Sequence, residues 1–223
     1  MSTKKREAWG ESAASESRWP ASLAVIVAAL LNFLLPARYT LGPPWFVSVL
    51  ELAILIPLSF ISPRRTVDGP RWHRLLGLGL IGVVNLANLA SLFFLIHNLI
   101  FNGRSIGGPE LLYSSVGIWL TNVIVFALWY WELDRGGPGE RLKPEHREPD
   151  FLFPQMMTPG CARQPWSPTF IDYVYVAFTN ATAFSPTDTM PLTPWAKTLM
   201  LIQSSASLLT IAVVAARAVN ILT

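Results

Sequence analysis

The 223-residue chain has one cysteine, three histidines and few charged residues, 14% of the total. Each scarcity removes a class of protein. A single thiol, Cys161, excludes an intrachain disulfide framework, and no second thiol or histidine stands near it at metal-ligand spacing. The histidines His73, His97 and His146 are scattered over a loop, an apolar segment and a polar linker, without the His-Glu spacing of a metal site or a Ser-His-Asp arrangement. No catalytic residue, metal site or cofactor is assigned, and the chain does not read as an enzyme. The formal charge of +3 rests mostly on basic residues flanking apolar segments, a pattern that sets membrane topology and gives no nucleic-acid patch.

Apolar residues are what the chain has in quantity: 52% of the sequence, with a mean hydropathy of +0.40, which predicts an all-α polytopic membrane protein. A spanning helix needs about 20 mainly apolar residues. Five segments approach or exceed that length: Pro20 to Pro36, Pro44 to Ile61, Leu75 to Phe101, Leu111 to Trp131 and Pro194 to Leu222. The breaks "PARYTLGPP", "SPRRTVDGPRWHR" and "NGRSIGGPE" are rich in Pro, Gly or Arg and do not continue a helix in lipid. Four regions follow: a basic polar tail, 1–19; a four-helix transmembrane unit, 20–131; a Pro/Gly-rich linker, 132–168, expected in water or at the headgroups; and a C-terminal unit, 169–223. The first span, lacking a small-residue cleavage site after it, is expected to stay uncleaved. Trp19, Trp45, Trp72, Trp129, Tyr130 and Trp131 fall near span ends and read as headgroup anchors. Lys4, Lys5, Arg6 and Arg18 before the first span, and Arg64, Arg65, Arg71 and Arg74 after the second, place the N-terminus and the linker in the cytoplasm by the positive-inside rule. Arg217 pulls against an external C-terminus, so the orientation of the last unit stays open.

Between Ala177 and Lys197 the chain reads "AFTNATAFSPTDTMPLTPWAK", a polar run between apolar pieces. The segment Phe170 to Phe184 is too short to cross a bilayer, and Pro186 and Pro191 stop its extension, which suggests a re-entrant helix. Thr193 is a candidate N-cap and Pro194 a first-turn residue of the last helix. At 100° per residue Gln203, Ser207, Thr210 and Arg217 share a stripe that faces protein or water, as packing surface or pore lining. On the third span Asn88, Ser91, Asn98 and Asn102 suggest an interhelical seam. Glu51 lies in an apolar span without an obvious basic partner, and with Asn32, Asn85, Asn88 and Asn122 it forms the set of intramembrane polar groups that mark function or pairing.

The stretch "TAFSPTDTMPLTPWAKTLMLIQSSASLLTIAVVAARAV" resembles the filter and inner-helix region of tetrameric potassium channels. By that resemblance Thr182 takes the pore-helix threonine position, Ala183, Phe184, Ser185, Pro186 and Thr187 the filter, Asp188 the filter aspartate, and Thr193 to Lys197 the turn into the inner helix. Thr179 joins the pore-like set, and Gln203, Ser207 and Thr210 become inner-helix lining. The filter departs from the pattern: Ser185 and Thr187 stand where glycines let successive carbonyls face one axis, and Pro186 fixes another φ. The whole chain, through "VYVAFTNATAFSPTDT" and "ARAVNIL", also looks like a widespread group of bacterial integral membrane proteins classed as a domain of unknown function, which implies a location in the bacterial inner membrane. Together these imply a homo-oligomer in the lipid bilayer, a tetramer if channel-like, that passes inorganic cations without strict potassium selectivity. The alternatives are a non-conducting scaffold and a small-solute transporter built around Glu51.

Overall fold

The computed structural model describes Ser17 and residues 19–61, 71–102, 107–141, 143, 147–158, 166–183 and 188–222. The N-terminal tail before Ser17, Cys161, His146, Phe184, Ser185, Pro186 and Thr187 lie outside the described residues, as do the side chains of Asn102 and Arg217. The protein is built from α-helices: α1 (Trp19–Phe33), α2 (Pro44–Ile61), α3 (Arg71–Asn102), α4 (Gly108–Leu133), the single turns α5 (Pro138–Arg141) and α6 (Pro154–Met157), α7 (Phe170–Ala183) and α8 (Pro194–Leu222). One two-residue ladder, β1 (Phe151–Leu152) with β2 (Met190–Pro191), is antiparallel, with Phe151 opposite Pro191 and Leu152 opposite Met190.

Three helices, α3, α4 and α8, are long and apolar enough to cross a membrane, while α1 and the described part of α2 are shorter apolar helices. At 1.5 Å per residue the 15 residues of α1 are about 22 Å long, short of a hydrocarbon core of about 30 Å. Pro36 follows α1 and prevents its extension, as the break predicted. Within the candidate spans, 67% of α4 is buried against 44% of α3 and 33% of α8, so α4 is the central helix. It packs against α1, α3, α7 and α8.

Helices α1 to α4 alternate in direction, and α7 and α8 both set out from the end where α4 finishes, which gives the molecule two ends. At one end Arg38, between α1 and α2, meets Glu110 at the start of α4 at 2.9 Å, and the Asn98 amide donates to the Arg38 carbonyl. At the other, the linker end, Arg74 of α3 faces Glu132 of α4 at 3.9 Å, and Trp131 meets Phe170 edge-on at 5.8 Å. Half of a capping box starts α7: the Thr169 backbone N–H and hydroxyl both donate to Asp172 Oδ2, and Asp172 N donates to the Thr169 carbonyl. Thr193 occupies the N-cap position of α8, its carbonyl accepting from Lys197 N, but its hydroxyl has no partner and provides no cap.

Apolar side chains cover the outside, among them Leu23, Leu34, Leu75, Phe93, Leu201 and Leu208. Lipid is the solvent that such a surface fits. Trp19, Trp45 and Trp72 are exposed and suit the headgroup position expected of them. Tyr130 and Trp131 are buried instead: the first hydrogen-bonds to Gln203, the second packs on Phe170, so neighbouring protein occupies the surface that an anchor presents to lipid.

Candidate functional site

The polar groups of the C-terminal unit converge on two places against α4. Deep in the helices, Gln203 of α8 is fully buried, and its Oε1 accepts from the Tyr130 hydroxyl at 2.6 Å and from Asn180 Nδ2 at 2.8 Å. Its Nε2 donates to the Ala177 carbonyl at 2.8 Å. Asn180 also donates to the Met200 carbonyl and accepts from the Ser204 hydroxyl, while Asn122 Nδ2 donates to Ser207 Oγ and to the Gln203 carbonyl. Side-chain amides therefore lock α4, α7 and α8 together where an unpaired polar group is costly.

The second place is a charged hub where α4 ends. Arg135 adopts φ 54°, and Gly136 and Gly137 follow at 85° and 101°, so the chain turns back sharply. A Cβ on Gly137 would stand 2.7 Å from the Glu132 carbonyl oxygen, which makes glycine a requirement there. Asp134 Oδ1 accepts from Asp150 N and Oδ2 from the Tyr173 hydroxyl at 2.6 Å, while Asp150 Oδ2 accepts from Arg135 N. Asp150 Oδ1 accepts from Trp195 Nε1, and the Asp150 carbonyl accepts from Leu192 N. Arg141 Nη1 donates to the Trp131 and Asp134 carbonyls, capping the end of α4 with a cation, and its guanidinium lies 5.4 Å from the Tyr173 ring centre. Asp134 and Arg135 are both buried and 3.7 Å apart.

This hub corrects the reading of 132–168 as a solvated connection. Glu132, Asp134, Arg135, Arg141 and Asp150 are buried, and Phe151, Phe153 and Met156 belong to the main apolar core. The adjacent Asp134 and Arg135 offset each other's charge and Arg141 bonds to the carbonyls that end α4, which lets the segment fold inward. The signal available in the sequence was the run "ELDRGGPGER", both charge signs around a tight turn in an otherwise charge-poor chain.

The hub also fixes the path of the polar stretch. α7 starts beside Trp131, and by Phe178 it has reached Trp119, twelve residues back along α4, at 5.7 Å between ring centres. Met190 and Pro191 are nevertheless paired with Leu152 and Phe151 at the linker end. Between Ala183 and Met190 the chain returns to the linker end, and seven residue steps allow a contour of about 25 Å for it. Along this path Thr182, Ala183 and Asp188 are exposed and Thr179 half-buried. Thr182 donates to the Phe178 and Thr179 carbonyls, and Thr179 to those of Tyr175 and Val176, so each hydroxyl keeps its lone pairs for another donor or a cation. Gln203, Ser207 and Thr210 are buried within the chain, Gln203 bonded to α4 and α7, Ser207 to α4 and Thr210 to its own helix.

The other expected polar group gathers only in part. Glu51 is fully buried; its Oε1 accepts from Asn32 Nδ2 at 3.3 Å and its Oε2 has no partner, while Ser48 one turn earlier donates to the Ala29 carbonyl. Asn88 and Ser91 are buried on α3, Asn85 is half-buried with an unpaired Oδ1, and Asn122 belongs to the α4–α7–α8 seam. At the end opposite the linker, burial and then the neighbouring Glu110 push the Tyr39 hydroxyl up to about 12.

Long apolar helices, an apolar exterior and polar groups paired inside define the chain as a helical membrane protein. No family model, curated protein or solved structure matches it.

Proposed function

We propose that this chain is the protomer of a membrane homo-oligomer, tetrameric and cation-passing, in which residues 169–223 form a pore-loop-like module. In this reading α1, continued by the apolar residues up to Pro36, and α2, α3, α4 and α8 are five spans and α7 is a re-entrant helix. One observation carries it: α7 enters from the linker end, and β2 returns the chain to that end before α8 sets out. Backbone that turns at membrane depth is tolerated only where protein or water covers it, and a shared axis supplies both. Around a four-fold axis the exposed Thr182 and Asp188 form rings of hydroxyls and carboxylates, which favour cations over anions. Residues 185 to 187 lack the glycines of a potassium filter, so the selectivity is among cations at large.

A second reading, a non-conducting assembly element, is favoured by the inward turn of Gln203, Ser207 and Thr210. Flux from proteoliposomes separates the two. The channel reading expects a potassium or sodium efflux that Asp188→Asn and Thr182→Val each reduce about tenfold, together with a tetramer by native mass spectrometry. Absent efflux, efflux indifferent to both substitutions, or a monomer overturns it.

A further inference from the structure

At the linker end a cavity of about 560 Å³ opens between the start of α3, the turn after α4, residues 147–150 and the first turns of α8. Arg74 and Arg147 line it from one sign of charge, Glu148 from the other, and Trp195 and Leu199 supply an apolar wall. We infer that this cavity holds the headgroup of a zwitterionic phospholipid with a primary ammonium, the phosphodiester on the two arginines and the ammonium on Glu148.

Depth is the first argument. Trp72, exposed two residues before Arg74, and Trp195 on the cavity wall mark the level at which tryptophans meet headgroups, and basic pockets between helices at that level suit phospholipid. Chemistry is the second. Arg74 Nε has no hydrogen-bond partner and stands 3.9 Å from buried Glu132, beyond hydrogen-bond reach, with the Arg74 side chain 40% exposed. Nε itself is buried, so a phosphodiester oxygen accepts from the exposed part of the Arg74 guanidinium, which it matches in charge and geometry. The two arginines and Glu148 together present both signs, which matches a zwitterion better than a purely anionic headgroup. Asp150 also borders the cavity, but its carboxylate already accepts from Trp195 Nε1 and Arg135 N. Leu199 and Trp195 continue from the cavity onto α8, whose exposed Ile202 leads toward lipid and gives an acyl chain its track.

The test uses the full chain in mild detergent, stripped of lipid and titrated with phosphatidylethanolamine or phosphatidylglycerol, with bound lipid counted by native mass spectrometry. One phosphatidylethanolamine per chain is expected to survive activation that removes phosphatidylglycerol. Arg147→Glu reverses a charge at the site, and Thr198→Trp fills the cavity while leaving its charges in place; both positions are exposed. Each is expected to lower retention about tenfold with an unchanged melting midpoint. Equal retention in the variants, or phosphatidylglycerol held as firmly, overturns the assignment. Displacement of the lipid by free phosphoethanolamine at equal concentration also overturns it, because the site then reads a soluble phosphomonoester and the acyl track contributes nothing.

Discussion

Asp134 joins three parts of the fold, since its two oxygens hold the linker backbone and α7 while its charge faces buried Arg135. Removing one partner of a buried ion pair leaves the other charge uncompensated, so Asp134→Ala is expected to destabilise the protein by about 3–5 kcal/mol. Asp134→Asn keeps the shape and should lose less; a thermal or denaturant midpoint in detergent orders the two, and equal midpoints for Asp134→Ala and wild type would sink the idea. Tyr39 gives a prediction in pH. Its hydroxyl, raised from 10.0 to about 12, stays neutral in the folded protein while the unfolded chain ionises, so its contribution is complete below pH 10 and is lost as pH climbs through 12. Tyr39→Phe should flatten that part of the alkaline stability curve, and a variant curve that falls as steeply as wild type contradicts the assignment.

At the scale of elements, the turn after α4 decides where the linker goes. Arg135, Gly136 and Gly137 all hold positive φ, and at Gly137 a Cβ would meet the Glu132 carbonyl at 2.7 Å. Gly137→Ala combines backbone strain with a clash against main chain that has little room to move, and it should cost at least about 1–3 kcal/mol. The loss should appear first in the hub, as increased protease cleavage within residues 138–158 ahead of global melting; uniform protection would refute local control by this turn. Helix α7 shows the opposite balance. Its start is set locally by the Thr169–Asp172 pair, but its place is set by Asn180 and Gln203, which bond it to α8.

For the whole molecule, the directions of the helices put Arg74, Arg141, Lys143 and Lys197 at the linker end and Arg38 at the other. This asymmetry predicts sidedness by the positive-inside rule. With Cys161 replaced by Ser, Lys143→Cys and Lys197→Cys should react with an impermeant maleimide only from the cytoplasmic side, and Arg38→Cys only from the outside. Labelling of Lys197→Cys and Arg38→Cys from one side would break the two-ended arrangement.

The sequence by itself determined the helices. Helices α2 and α8 open at Pro44 and Pro194 as the breakers predict, because prolines, glycines and charge clusters act on the chain next to them. It also revealed which polar residues sit inside apolar helices. Tertiary structure alone decided what those residues do: Asn122 meets Ser207 across 85 positions, Tyr130 meets Gln203 across 73, and Asp150 meets Trp195 across 45. It likewise folded the linker's charges into a hub, where a sequence reading sees only a hydrophilic run. Hydropathy and helix propensity are local properties that a window of sequence contains, whereas a hydrogen bond between distant helices exists only once packing has chosen their neighbours.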